Sequence, residues 1–115
     1  MTIGTKYAFM AAMDVDPAVE DLFNEVYDTE HVPELLKVPG VRGVTRMKGE
    51  PFDFAIGGAT KAMPAPTPIY SALYEIDSPE VLTSAAWKAA SEKGRWATQV
   101  RPHTRNRSHA VYRVR

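Results

Sequence analysis

Apolar positions recur along this chain with two different periods, and the switches between them mark the elements. Lys6 to Val15 carries Tyr7, Phe9, Ala11 and Met13 on one parity and Ala8, Met10 and Ala12 on the other. Apolar residues on both parities predict a strand buried on both faces, hence a central one, although Met and Ala do not favour strands by propensity. Asp16-Pro17 then reads as a helix start, with Asp16 as the cap and Pro17 at the first helical position. Glu20 and Asp21 follow near the positive end of the helix dipole. Val19, Leu22, Phe23, Val26 and Tyr27 keep the three-to-four-residue spacing of a buried helical stripe. His31 continues that stripe four residues after Tyr27. Pro33 cannot extend the backbone ladder, which predicts a kink or restart there. Glu34 to Val38 makes a short second turn, closed by Pro39-Gly40.

Val41 to Lys48 reads as a second strand. Gly49 to Pro68 holds four prolines, Gly57-Gly58 and several alanines, and is expected to be a long surface loop. Phe52, Phe54 and Ile56 alternate within it, so part should pack back on the body. Ile69 to Asp77 reads as a third strand with Tyr70, Ala72, Tyr74 and Ile76 on one face. Ser78-Pro79-Glu80 repeats the helix-start chemistry, followed by Leu82, Ala85, Ala86 and Ala89 as a stripe of small residues. Gly94 ends this helix, Trp96 and Pro102 lie in the link, and Thr104 to Arg113 reads as a last strand. The order strand, helix, strand, loop, strand, helix, strand is a repeated split βαβ pattern. It predicts an α+β, ferredoxin-like domain: a four-stranded antiparallel sheet with both helices on one face.

That plan leaves one sheet face without helices. Strands one and three place apolar residues on both parities, so the free face should not meet water. Two such sheets packed together would bury both, which predicts an isologous homodimer. Composition agrees with a single domain spanning residues 1–115: the chain is 44% hydrophobic, and a domain this small benefits from a partner subunit. It has no cysteine, hence no disulfide, thiolate ligand or thiol nucleophile. No apolar run approaches the ~20 residues that span a bilayer, and no signal-peptide pattern opens the chain, so a cytoplasmic protein without a membrane partner is expected.

The formal net charge is zero, but its distribution is uneven. All charges from Asp14 to Glu34 are acidic, and from Lys88 to Arg115 only Glu92 opposes the basic residues. A basic tail can serve nucleic acid. In a neutral chain the better reading is that acidic helix and basic strand face each other, within one subunit or across a dimer. No nucleotide-binding glycine loop and no aromatic RNA-binding strand motif is present, so no nucleic-acid partner is expected.

Glu30-His31-Val32-Pro33 and Val38-Pro39-Gly40-Val41, set between the first helix and second strand, complete a pattern that resembles the dimeric α+β barrel superfamily, and within it the EthD-like group. The resemblance implies ferredoxin-like subunits whose sheets pair into a barrel. It also implies a range of chemistries: cofactor-free monooxygenases, muconolactone-type isomerases, polyketide cyclases, lyases and haem-handling enzymes. The position of His31 matches the helix histidine of that group.

His31 is the leading catalytic candidate, because an imidazole exchanges protons near neutral pH. Its alternative is a packed histidine bonded to carbonyls at a helix end. Tyr27, on the same stripe, and Tyr74, on a central strand, are candidate hydroxyl donors to a substrate oxygen. Phe9, Tyr7, Trp87 and Trp96 are candidate lining residues and Arg46 a candidate anion contact, although core, interface or ion-pair roles are open to each. Asp28 and Glu30 should be solvated, since neighbours in sequence do not face one another on a helix. His109 alternates with Arg107 and should meet solvent or the dimer seam. Three scattered histidines lack metal-ligand spacing, so neither a metal nor another cofactor is expected; a haem iron could use His31 alone. The reading is a cofactor-independent enzyme, with His31 as general acid/base in isomerisation, cyclisation or elimination of a small oxygenated organic molecule. The alternatives are a non-catalytic binding or accessory dimer, and a cofactor-free or haem-linked monooxygenase.

Overall fold

The computed structural model describes residues 3–115. Six strands form two sheets: β1 (Tyr7–Val15), β2 (Val41–Lys48), β3 (Phe52–Ile56), β4 (Ala59–Met63), β5 (Tyr70–Ile76) and β6 (Thr104–Arg113). The main sheet is antiparallel in the order β2-β5-β1-β6. The apolar strand β1 is therefore central, and ladders on both sides hold its alanines and methionines despite their weak strand propensity. In β5, Tyr70, Ala72, Tyr74 and Ile76 are buried while the alternate residues are half-buried, so this face meets the helices. With the hairpin β3-β4 set aside, this is the ferredoxin-like arrangement. Among the described residues no helix is long and apolar enough to cross a membrane.

The first helical run is continuous but not uniform. A 3₁₀ turn, Pro17–Val19, starts it, with Asp16 Oδ1 accepting from the Ala18 N–H at 3.0 Å. Helix α1 (Glu20–Val26) leads into a wide π turn, Tyr27–His31, and then α2 (Val32–Leu36). Pro33 has no N–H to give back to Thr29, and in a regular helix its ring would meet that carbonyl. The wide turn just before it accommodates both consequences. Phe23, Val26 and Leu35 from this run are almost fully buried with Ile76 and Val100.

The second helical run departs from the expectation. Pro79–Thr83 is a 3₁₀ turn, and the helix proper, α3 (Ala85–Ala90), starts at Ser84, whose Oγ accepts from the Trp87 N–H at 3.1 Å. Val81 is buried and fixes the turn: a Cβ on Gly40 would lie 2.4 Å from Val81 Cγ2. Gly40 also has φ +95°, a conformation that glycine adopts freely. After Gly94 the chain makes a π turn, Trp96–Val100, and a 3₁₀ turn, Arg101–His103.

The long loop expected over Gly49 to Pro68 is instead largely a β-hairpin. Gly57 and Gly58 have φ +60° and +79° and connect β3 to β4 in register, as a two-residue hairpin turn with positive φ at both positions requires. Phe52, Phe54 and Ile56 do not pack back on the body. They stay half-exposed, because the hairpin pairs only with itself and both its faces are open. The acidic and basic stretches do meet within the chain. Arg95 bonds Glu30 and Glu25, Arg105 approaches Asp16, and Asn106 bonds Asp14.

Gly40→Ala is expected to lower stability by ~2 kcal/mol, from left-handed backbone strain plus the Val81 contact. Urea denaturation of Gly40→Ala, Val81→Ala and the double variant checks this. The two losses should be less than additive, since removing Val81 relieves the clash but not the strain.

Candidate functional site

Between the sheet and the helical runs lies a cavity of about 210 Å³. Its walls hold Phe9, Tyr27, His31, Tyr74, Trp87 and Trp96, and its rim Ser91, Arg101, Arg107 and His109. The π turn keeps Tyr27 and His31 on one side of the run, facing β5. There the Tyr27 and Tyr74 hydroxyls are 2.8 Å apart. The His31 ring stacks on Trp96, with centroids at 4.2 Å and planes 19° apart, and meets the Tyr27 ring edge-on at 5.1 Å. Phe9 connects Tyr74 (5.5 Å) and Trp87 (6.0 Å) and stacks on His109 at 5.9 Å.

His31 is only 6% exposed, and its Nδ1 is buried with no hydrogen-bond partner. A buried polar atom left unpaired is costly, so the alternative of a histidine bonded to carbonyls does not describe this one at Nδ1. Burial, reinforced by the positive charges of Arg101 and Arg107, pushes the His31 pKa from its ordinary 6.5 down to about 3. The ring is therefore neutral across the physiological range, which removes the general-acid half of its expected role in the free protein. Burial also raises the Tyr27 pKa, and burial together with Tyr27 raises that of Tyr74 well above the usual phenol range. Both phenols keep their protons. One O–H closes the bond between them, and the second remains available to an acceptor in the cavity.

No known family profile matches the chain, and no curated protein does. Solved structures do. An EthD family protein from Bacillus halodurans C-125 superposes with a TM-score of 0.57 at 16% identity, over 95% of this chain and 99% of that one. The haem-degrader MhuD from Mycobacterium tuberculosis, with two haems in its active site, gives 0.57 at 14% identity over 94% of each chain. A substituted MhuD carrying two manganese protoporphyrin IX molecules gives 0.60 at 12% identity over 94% of this chain and 93% of that one. The chain shares the ferredoxin-like α+β fold of these structures. At these identities the likeness carries the fold and no reaction.

Two candidates lie outside the cavity. Tyr7 shares a face with Phe9 but sits one residue pair further along β1, opposite Ile76, with Arg113 5.9 Å from its ring. Arg46 lies near Tyr27, Phe23 and Tyr70, its guanidinium carbon 4.4 Å from the Tyr27 ring centroid. It donates to Asp28 Oδ1 at 2.8 Å and Asn24 Oδ1 at 2.9 Å and lines a separate surface groove with them. Asp28 and Glu30 face away from His31 as expected, but they are paired rather than simply solvated. Glu30 accepts from the Arg95 backbone N–H at 3.0 Å and from Arg95 Nε at 2.7 Å. Arg101 and Arg107 were not among the expected site residues, and His109 was placed at solvent or a seam. For Arg107 and His109 the signal lay in the register: Ala11 pairs with His109 and Phe9 with Val111, so odd-numbered β6 residues share the helix side with odd-numbered β1 residues.

The depressed His31 pKa ties stability to pH with a definite sign. In the unfolded chain His31 gains a proton as pH falls through 6.5, whereas in the fold it stays neutral until about 3. Its burial therefore weakens the fold progressively from pH 7 downward, by ~2 kcal/mol at pH 5. Denaturant unfolding at pH 7 and pH 5 should show this loss in the parent, and a smaller one in His31→Gln.

Proposed function

We propose that the chain is a small-molecule enzyme that moves a proton on an oxygenated organic substrate, with no cofactor required. The observation that carries this reading is the unpartnered Nδ1 of buried His31, beside a phenol pair on a cavity wall. His31 enters the reaction neutral, as the base. It takes a proton from carbon next to a carbonyl; the C–H electrons pass to the carbonyl oxygen. The free O–H of the Tyr27–Tyr74 pair donates to that oxygen as charge develops. The imidazolium then returns the proton to a second carbon, or the enolate expels a leaving group that takes it. The first outcome is isomerisation and the second elimination; attack by the enolate carbon on a second carbonyl of the same molecule, whose π bond breaks and whose oxygen takes the imidazolium proton, would be cyclisation. The phenols' raised pKa values suit this task, because a donor that stays protonated at neutral pH can stabilise an oxyanion without surrendering its proton.

A haem-linked reading fits these residues poorly. A tetrapyrrole carries four rings, and an apolar cavity of ~150 Å³ accommodates a single benzene ring. The cavity of about 210 Å³ is on that smaller scale. The His31 ring is also covered on one face by Trp96.

The same proposal includes an isologous dimer through the helix-free sheet face. Met10, Ala12 and Leu73 are half-buried there, and Met47 and Tyr112 are exposed. The fold likeness to dimeric barrel proteins supports this reading.

A panel of small enolisable ketones and lactones incubated with the protein in D₂O, followed by proton NMR, tests the chemistry. Exchange at the carbon next to the carbonyl is expected. His31→Ala should lower it ~10²–10⁴-fold, and Tyr74→Phe ~10²-fold. Undiminished exchange in His31→Ala would remove the mechanism, and no exchange across the panel would favour a passive binding dimer.

A further inference from the structure

The rim of the cavity is charged in one sense only. Its lining contains Arg101 and Arg107 and no carboxylate. Arg101 is already matched, since its two terminal nitrogens reach the two oxygens of Glu92. Arg107 is not. It reaches Thr104 Oγ1 at 3.4 Å and His109 Nε2 at 3.5 Å, both neutral acceptors in this setting, and meets no carboxylate among the described residues. Arg42, Arg46, Arg95, Arg101 and Arg105 each meet an aspartate or glutamate. Among the described residues Arg113 and Arg115 also meet no carboxylate, but of these three only Arg107 lines the cavity. His109, with its pKa lowered by burial and by Arg107, offers Nε2 to the Arg107 guanidinium and so orients it. Behind this rim the walls are Phe9, Trp87 and Trp96, and at the base His31 Nδ1 lacks a partner.

The geometry points to a single-ring organic anion as the substrate class: a flat ring between Phe9, Trp87 and Trp96, its carboxylate on Arg107 at the mouth, and a ring oxygen at the Tyr27–Tyr74 pair. This rests on the proton-transfer reading above and names what that site takes. The volume agrees, because ~150 Å³ holds one benzene ring and the cavity of about 210 Å³ adds room for one small substituent. Guanidinium presents paired N–H donors that match a carboxylate and distinguish it from an amide. A bound anion would also offset the charges of Arg101 and Arg107, which oppose protonation of His31, and so would make His31 a better base when substrate is present.

Benzoate and its neutral isostere benzamide test the inference. The chain has two tryptophans, Trp87 and Trp96, and both line the cavity, so intrinsic fluorescence excited at the red edge of indole absorption reports occupancy directly. Benzoate should give a saturable change, with benzamide about tenfold weaker or worse. Arg107→Gln, at an exposed strand position, should weaken benzoate about tenfold and leave benzamide unchanged. Equal binding of the two compounds, benzoate binding indifferent to Arg107→Gln, or no saturable benzoate binding would each overturn the proposal. Deuterium exchange lost in His31→Ala without benzoate binding would sink the substrate class and leave the proton-transfer reading standing. Arg107-dependent benzoate binding without exchange would do the reverse.

Discussion

The 2.8 Å bond between the Tyr27 and Tyr74 hydroxyls is the contact on which the site depends. It ties the helical run to a central strand, and it is almost fully buried, each tyrosine being 2% exposed. His31 lies against Tyr27 and Trp96 and takes its orientation from them. Trp96 in turn comes from the segment after Gly94, which Arg95 holds to Glu30. The acidic residues flanking His31 thus act outward: they anchor the helical run to β2 and to the Trp96 segment, while the inward side holds the imidazole and a phenol. These partly exposed pairs each contribute little on their own, and their consequence is positional.

Much of the fold was legible because its signals are local. The apolar run on both parities in Tyr7–Val15, the alternation in Tyr70–Ile76 and the Asp16-Pro17 start depend on near neighbours, and so does the stripe from Val19 to His31. The start of α3 was misplaced because Ser78-Pro79 and Ser84 both offer cap chemistry. What separates them is burial of Val81 against Gly40, a contact across 41 positions of sequence. The hairpin was missed for a different reason. Its prolines at 51, 64, 66 and 68 suggest a loop, but they flank the strands rather than interrupt them, and Gly57-Gly58 was the turn signal.

The candidate site was legible mainly on elements that carry their own periodicity, with Trp96, read as part of a link, the exception. His31, Tyr27, Tyr74, Phe9, Trp87 and Trp96 meet at one cavity. Arg107 could not be placed without the β1–β6 register, which no local pattern supplies, and Arg101 reaches the rim from the 3₁₀ turn that precedes β6. Arg46 carried two readings, an anion contact or an ion pair, and its Asp28 and Asn24 partners make it the ion pair. The charge state of His31 was equally invisible, because it follows from burial and from two distant cations rather than from its neighbours in sequence.

The account rests on a buried imidazole that is neutral and short of one hydrogen-bond partner. Nitrogen-15 NMR of the ring nitrogens across pH 4 to 8, with His31 assigned through His31→Gln, measures this directly. The account predicts that the His31 ring stays in its neutral form down to pH 4, with an acceptor nitrogen shifted as for an unbonded lone pair. An imidazole that takes up its proton near pH 6.5 would contradict it.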